Sequence, residues 1–323
     1  MTAPDSFLLL SFGGPESHDD VMPFLRRVTA GRGVPDERLA VVADQYKLFG
    51  GRSPLNDHNR DLLAAIAAEF ERRTIDLPTY WGNRNWHPLL EHTVTQMAEA
   101  GSRHALVFAT SAFSSYSGCR QYRDDLVRAA AAVGDAAPRL QKLRLFYNHP
   151  GFIEPLTDRV REALDRLAER AAGPARLIFT AHSIPLSMAA GSDYEVQLAE
   201  AARLVMAGLS DAGANPATYD ANDYDLVYQS RSGPPQVPWL EPDVGDHLEQ
   251  LAASGVQDVV VCPLGFVSDH MEVLYDLDTL AAERAAAAGI TLERASTVGT
   301  DPRFVAMIVD LVEEQLSGKA RLR

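Results

Sequence analysis

The stretch RLIFTAHSIP, residues 176–185, joins an apolar run to a polar turn that carries a histidine. A short apolar run bounded by turn residues is typical of a strand buried on both faces of a parallel sheet. The stretch FLLLSFGGPES, residues 7–17, repeats the pattern near the start of the chain. Two such strands favour an α/β fold in which ligands bind in the loops that follow the strands.

Apolar runs of strand length alternate along the chain with amphipathic stretches of helical length, as in α/β proteins with mainly parallel sheets. Strands are predicted at residues 7–12, 78–81, 104–109, 142–146, 176–180, 225–229 and 258–263. Helices are predicted at residues 61–73, 89–100, 122–132, 155–172, 192–212 and 302–315. The last helix has a clear start, because Asp301 is a good N-cap and Pro302 suits the first helical position.

The order of these signals occurs twice, which predicts a duplicated α/β unit. Residues 80–115 contain a strand, a polar loop with a tryptophan, a helix and a second strand, and residues 227–269 contain the same signals in the same order. We expect an N-terminal domain at 1–145, joined by the helix at about 302–316, and a C-terminal domain at 146–300. The carboxyl ends of both sets of strands are expected to surround one cleft.

Composition excludes several classes of protein. A net charge of −14 argues against nonspecific nucleic-acid binding, which needs a positive surface. No apolar run approaches the roughly 20 residues of a membrane span, and the first apolar run has no basic region before it as a signal peptide would. We therefore expect a cytoplasmic protein without a transmembrane segment, in which Cys119 and Cys262 are reduced thiols.

Three loops that follow predicted strands of the second half are the candidates for chemistry, at residues 180–185, 229–235 and 265–276. His182 is either a histidine with local hydrogen bonds or an imidazole that accepts a proton or ligates a metal. Glu272 either belongs to a solvated acidic helix start or shares one helical face with Asp269 and Asp276. His270 is expected to have a structural or supporting role. A histidine and a carboxylate on opposing loops suit a divalent metal.

The sequence lacks the motifs that are typical of several common functions. Neither a GxGxxG fingerprint nor a GxxxxGK[ST] loop follows the first strand, and the chain has neither a GxSxG elbow nor an HExxH helix. These motifs place phosphates, an activated serine or zinc in a defined geometry. The nucleotide-binding, esterase and metalloprotease interpretations are therefore removed.

Longer segments resemble ferrochelatases, the class II chelatases of haem biosynthesis, over essentially the whole chain. The matching segments are SFGGP at 11–15, GGRSPL at 50–55, TAHSIP at 180–185, YQSRSGPP with WLEP at 228–242, and PLGFVSDHMEVLYDLD at 263–278. The resemblance implies the chelatase fold, two similar Rossmann-like domains with parallel sheets and the porphyrin in the cleft between them. It also implies an enzyme, a lyase that inserts ferrous iron into a porphyrin.

The resemblance implies roles for individual residues. His182 and Glu272 match a catalytic pair that faces the metal, and Asp276 matches an acidic residue behind that glutamate on a metal path. Tyr122 matches a tyrosine that contacts a porphyrin propionate, with Tyr116 as the alternative because the alignment of their loop shifts. The other porphyrin-binding residues expected are Phe12, Ser53, Trp239 and the arginines Arg26, Arg27, Arg32 and Arg52.

Two departures from the family pattern bear on metal binding. Some relatives place a tyrosine at the position of Phe12, where it ligates the product iron, and phenylalanine has no ligand atom. Some relatives carry a [2Fe–2S] cluster held by four cysteines, whereas this chain has only Cys119 and Cys262. We therefore expect no iron–sulfur cluster and no other cofactor.

The charged stretch at residues 15–39 favours coproporphyrin III over protoporphyrin IX as the porphyrin. Relatives that use protoporphyrin tend to have an apolar lip there, whereas coproporphyrin is water-soluble and carries four propionates. Alternatives are a protoporphyrin IX ferrochelatase, a cobalt or nickel chelatase, which typically has a second histidine at position 272, and a noncatalytic haem carrier, which would not need the His/Glu pair. We expect a monomer that contacts the next enzyme of the haem pathway transiently.

Overall fold

Two four-stranded parallel sheets form the framework of the protein. The structure is a computed structural model that describes residues 3–115, 121–170, 174–211, 223–234 and 236–318. The chain divides into an N-terminal unit, Met1–Thr110 with Arg120–Arg144 and Val305–Arg323, and a C-terminal unit, Ser111–Cys119 with Leu145–Phe304. Tyr116 and Cys119, which the sequence analysis singled out, lie outside the described residues.

The N-terminal sheet has the strand order β2-β1-β3-β4. Its strands are β1 (Ser6–Ser11), β2 (Thr79–Asn83), β3 (His104–Ala109) and β4 (Arg139–Lys142). The helices of this part of the chain are α1 (His18–Val28), α2 (Asp36–Lys47), α3 (Leu55–Arg72), α4 (Leu90–Glu99) and α5 (Gln121–Val133), with a 3₁₀ turn at Gly134–Ala136. All six residues of β1 are buried, as expected of a central parallel strand.

The C-terminal sheet repeats this topology with the order β6-β5-β7-β8. Its strands are β5 (Arg176–His182), β6 (Asp225–Gln229), β7 (Asp258–Cys262) and β8 (Thr291–Arg294). The helices of this part of the chain are α6 (Pro150–Ala168), α7 (Leu186–Ala189), α8 (Tyr194–Asp211), α9 (Val244–Ala253), α10 (Met271–Val273), a π-helical segment Leu274–Ala281, α11 (Ala282–Ala288) and α12 (Pro302–Ser317). Most of α12 belongs to the N-terminal unit. Because the central strands β1 and β5 occupy equivalent places, the predicted duplication is confirmed.

Two of the four edge strands, β4 and β8, differ from the sequence prediction. The predicted strand at 142–146 is wrong, since β4 ends at Lys142, and β8 was not predicted at all. These strands have four residues each, mostly polar and none fully buried, whereas the edge strands β2 and β6 end in buried residues. The apolar run after β4 is instead buried in a loop, where Phe146 packs edge-on against Phe152 at 5.4 Å between ring centroids.

One segment groups differently from the domain boundaries expected from sequence. Residues 111–119, which that division gave to the first domain, belong to the C-terminal unit. Phe113 packs against Phe152 and Tyr194 there, with ring centroids 6.2 and 6.3 Å away. The Ser114 backbone N–H also donates to the Gln197 side chain at 2.6 Å. Among the described residues, no helix is both long and apolar enough to cross a bilayer.

Candidate active site

His182 is the last residue of β5, so it stands at the carboxyl edge of the C-terminal sheet, in register with Gln229 of β6. Its Nδ1 lies 2.5 Å from the Ser183 carbonyl oxygen, which can only accept, so Nδ1 carries the proton. The Tyr194 hydroxyl donates to the His182 carbonyl at 3.0 Å and fixes the backbone. In the neutral ring Nε2 is therefore a free lone pair, ready to accept a proton or a metal.

Glu272 faces this lone pair from the loop and helix that follow β7. The Glu272 Oε2 atom lies 3.9 Å from His182 Nε2, and the two side chains are 50% and 34% exposed. His270 begins the helix as its N-cap, because its Nδ1 accepts from the Glu272 backbone N–H at 3.2 Å. The expected supporting role of His270 is thus a cap that orients the residue two positions on.

A close approach of backbone to backbone brings this loop to β5. A Cβ at Gly265 would lie 2.7 Å from the Cα and Cβ of Ala181, the residue before His182, so only glycine fits. The Gly265 N–H also donates to the Thr180 carbonyl at 2.9 Å. The glycine in the PLGF sequence therefore allows the Glu272 loop to lie directly against the strand that carries His182.

Asp276 lies behind Glu272 in the π-helical segment, a geometry that often marks functional sites. Ser230, the residue after β6, donates its hydroxyl to Asp276 Oδ2 and has a left-handed backbone with φ 61°. Burial raises the pKa of Asp276 to about 6, opposed by the Ser230 hydrogen bond and reinforced by the negative charge of Glu272. This carboxyl group can exchange a proton near neutral pH.

The prediction that Asp269, Glu272 and Asp276 share one helical face is wrong for Asp269. Asp269 precedes the helix, which begins at Met271, and its Oδ1 accepts from Arg294 at 2.8 Å. It is committed to a structural ion pair, whereas Glu272 and Asp276 remain near His182. Across the part of the chain that the structure describes, no three His, Cys, Asp or Glu side chains are preorganised around a metal position. The site offers a dication two facing ligands and open positions, which suits transfer of the ion better than storage.

Two neutral residues expected to contact porphyrin lie in the N-terminal unit. Ser53 is 4% exposed, and its N–H donates to the Pro15 carbonyl at 2.8 Å. Tyr122 is 5% exposed within the core, with its hydroxyl bonded to Thr110, and burial raises its pKa. Their contacts with porphyrin stay predictions.

An arginine that sequence analysis did not single out lies between two of the predicted residues. The Arg84 guanidinium is 5.8 Å from the centre of the half-buried Phe12 ring and 5.3 Å from that of Tyr122. It forms a 2.6 Å ion pair with Asp125, and the two side chains are 11% and 4% exposed. Only the tertiary fold brings these residues together, so no local motif could have indicated Arg84.

The predicted arginines fall into two groups. Arg26 pairs with Asp36 at 2.6 Å and Arg52 pairs with Asp57. Arg27 and Arg32 are exposed, and neither forms an ion pair with another described residue. These two guanidinium groups are the ones left available to an anionic ligand.

Trp239, the remaining predicted residue, is half-buried in the C-terminal unit. Its indole ring lies against Gly233, where a Cβ would come within 2.5 Å of the ring. The Leu240 N–H donates to the Ile184 carbonyl at 2.9 Å, and the Ser183 hydroxyl donates to the Leu240 carbonyl at 2.8 Å. The Trp239 segment therefore supports the loop that follows His182.

Solved structures with a similar architecture identify the fold. SirB from Bacillus subtilis with Fe³⁺ aligns with a TM-score of 0.57 at 12% identity, covering 98% of this chain and 96% of that one. The sirohydrochlorin chelatase SirB from Bacillus subtilis subspecies spizizenii in complex with cobalt aligns with a TM-score of 0.51, also at 12% identity and with the same coverage. At that identity the likeness shows the chelatase fold alone.

Sequence comparison is more specific. The family model described as ferrochelatase matches residues 4–316. Coproporphyrin III ferrochelatase of Frankia alni is 59% identical over 97% of this chain and 80% of its own length, and that of Mycolicibacterium smegmatis is 56% identical over 97% and 90%. Ferrochelatase of Rhodopirellula baltica is 52% identical over 97% of this chain and 86% of its own. The chain belongs to the ferrochelatase family and is a metal-insertion enzyme.

Proposed function

We propose that this enzyme inserts Fe²⁺ into coproporphyrin III to form coprohaem in haem biosynthesis. The observation that carries the proposal is that His182 Nε2 faces Glu272 Oε2 at 3.9 Å, while His182 Nδ1 is directed at the Ser183 carbonyl oxygen. Relatives that share more than half of the sequence, such as those at 59% and 56% identity, bear the name coproporphyrin III ferrochelatase.

The reaction needs two proton acceptors and a path for a dication. The porphyrin releases two pyrrole protons as it takes up Fe²⁺, so the charge at the ring centre balances. His182 Nε2 accepts a pyrrole proton, and Glu272 serves the metal or the second proton. Bending the planar ring exposes the nitrogen lone pairs, and binding energy at the ring periphery can supply that strain. Asp276, with a pKa of about 6, passes on protons or ions behind Glu272.

The choice of coproporphyrin rests on charge. Four propionates approach a chain of net charge −14, so binding needs local cations. Arg27 and Arg32 are the best candidates because their guanidinium groups are exposed and have no carboxylate partner among the described residues, whereas Arg26 and Arg52 would have to exchange theirs. Ser53 and Tyr122 are proposed as neutral contacts.

The test is an anaerobic assay with Fe²⁺ and either coproporphyrin III or protoporphyrin IX, the latter kept monomeric in detergent. We expect a much higher kcat/KM for coproporphyrin III, with the gap narrowing in an Arg27→Ala/Arg32→Ala double variant. Arg203→Ala is the matched control, since that exposed arginine pairs with Glu200 in the C-terminal unit. Equal efficiency on both porphyrins would refute the substrate assignment, and absence of any metal insertion would refute the function.

Further proposals concern the alternatives and the cellular setting. A preference for Co²⁺ or Ni²⁺ over Fe²⁺ in the same assay would support the other chelatase readings, and porphyrin binding without turnover would support a carrier. We propose that the enzyme needs no cofactor and acts as a cytoplasmic monomer that meets the next haem-pathway enzyme transiently. The water solubility of coproporphyrin supports the cytoplasm, and sedimentation of the purified protein tests the monomer.

A further inference from the structure

Arg294 holds the two ends of the segment that carries Glu272 and Asp276. It is the last residue of β8, and its side chain is only 17% exposed. Nη1 donates to Asp269 Oδ1 at 2.8 Å, while Nε and Nη2 form a two-pronged pair with Asp278, with Nη2 to Oδ2 at 2.9 Å. Burial disfavours the charged guanidinium, but the hydrogen bonds and charges of the two aspartates outweigh it and raise the pKa of Arg294.

The two aspartates bracket the reacting groups along the chain. Asp269 lies three residues before Glu272, and Asp278 lies two residues after Asp276 in the π-helical segment. The loop after β8 adds backbone contacts to the same loop, because the Thr297 N–H donates to Asp269 at 3.4 Å and the Gly299 N–H donates to the Val267 carbonyl at 3.0 Å. The segment between the aspartates is thereby tied to the edge of the sheet at both ends.

We propose that Arg294 is a positioning residue for metal insertion, which sets the distance between Glu272 and His182 by clamping Asp269 and Asp278. The inference rests on the proposed function. Glu272 is half-exposed, and its carboxylate accepts no hydrogen bond from another described side chain, so its position depends on the helix that carries it. A displacement of about 1 Å at a reacting group can cost 10²-fold in rate, and only an arginine fork can satisfy both carboxylates at once.

The same unit contains a matched control. Arg176 is the first residue of β5 and also bridges two aspartates, with a two-pronged pair to Asp225 at 2.7 Å and a second contact to Asp223. Its side chain is 27% exposed. Arg176 therefore makes a similar clamp at the opposite, amino-terminal end of the strands, remote from His182. Its loss should affect stability without affecting chemistry.

The experiment compares Arg294→Met, Arg294→Lys and Arg176→Met in the full-length enzyme. We expect Arg294→Met to lower kcat for Fe²⁺ insertion by about 10- to 100-fold, with porphyrin affinity, read from fluorescence quenching, unchanged. Arg294→Lys should recover part of kcat, because lysine keeps the charge but holds one carboxylate. Arg176→Met should lower the melting temperature to a similar extent while kcat stays within about twofold of the wild-type value.

Each outcome has a defined meaning. If Arg294→Met unfolds, Asp278→Asn removes one arm of the clamp without stranding a charge and should still lower kcat. Wild-type kcat in folded Arg294→Met or Asp278→Asn, or an equal loss of kcat in Arg176→Met, would overturn the positioning role. If the wild-type enzyme itself inserts no metal, the proposed function fails instead, and the two failures remain distinguishable.

Discussion

The two sheets have equivalent strand orders, but the charged side chains at their carboxyl edges are paired and exposed to different degrees. At the carboxyl edge of the N-terminal sheet, Arg84 and Asp125 form an ion pair at 2.6 Å, and their side chains are 11% and 4% exposed. At the carboxyl edge of the C-terminal sheet, His182 Nε2 and Glu272 Oε2 lie 3.9 Å apart, and the two side chains are 34% and 50% exposed. A buried, paired charge stabilises structure only if it stays paired, whereas an exposed pair with free lone pairs can bind and react.

This difference shows how one topology serves two purposes. Strand β5 ends at His182, the proposed proton acceptor. The equivalent strand β1 ends at Ser11 and is followed by the Gly13-Gly14 turn, which has no titratable side chain. A Cβ at Gly14 would lie 2.7 Å from the Ser53 Cβ, so the turn serves close packing. The equivalent positions of the two sheets therefore differ: a closely packed glycine turn follows β1, whereas β5 ends in a histidine that faces a carboxylate.

The largest expected effect follows from removing the imidazole. His182→Ala should lower the rate of metal insertion by about 10³-fold or more, because the acceptor for the pyrrole proton is lost. Porphyrin binding should persist, since the side chain is placed at the reacting centre. Stopped-flow absorbance under anaerobic conditions measures both steps. The exposed His92→Ala is the control for histidine loss, and a folded His182→Ala variant that keeps substantial turnover would contradict the assignment.

Next in size is the difference between the two carboxylates. Glu272→Gln should reduce kcat by about 10²-fold, because an amide neither takes a proton nor ligates a hard cation well. Asp276→Asn should reduce it by no more than about 10-fold, as expected of a group behind the metal. Steady-state kinetics with Fe²⁺ ranks them. If Asp276→Asn proved the more damaging, Asp276 and not Glu272 would be the main acceptor.

Features that a local sequence pattern encodes could be predicted from the sequence. The strands β1, β5 and β7 are continuous apolar runs and were predicted for that reason. His182 ends one of these strands and Glu272 lies after another, and their catalytic roles stay predictions. The edge strands β4 and β8 were missed because they are short and mostly polar and contain no fully buried residue. Arg84 and Arg294 were missed because their partners are distant in sequence, and the π-helical geometry around Asp276 has no composition signal.

Loss of the Arg84–Asp125 ion pair in the N-terminal unit should lower the stability of the protein without lowering kcat. Asp125→Asn leaves the nearly buried Arg84 without its counter-charge, and it also weakens the 2.7 Å contact from Arg128. Breaking a buried pair in this way costs about 3 kcal/mol of unfolding free energy. Urea unfolding should show this loss while kcat changes less than about threefold. Glu200→Gln, in an exposed pair, should change stability little, and a large kcat loss in Asp125→Asn would show that both edges take part in the reaction step.

The smallest effect is expected at Cys262, where β7 ends on the reactive side of the C-terminal sheet. Its thiol is 1% exposed, and burial raises its pKa to about 12, so at pH 8 only about one molecule in ten thousand carries the thiolate that binds metals and reacts with alkylating agents. Native protein should therefore resist iodoacetamide at Cys262 in peptide mapping, while protein in urea should react fully. Cys262→Ala should retain kcat within about twofold, because the thiol has no role in the proposed reaction. The proposed lack of an iron–sulfur cluster rests instead on the cysteine count, because Cys119 and Cys262 cannot supply four thiolates. Rapid alkylation in the native state, or stoichiometric acid-labile sulfide in the purified enzyme, would show instead that this strand end presents a metal-binding thiolate.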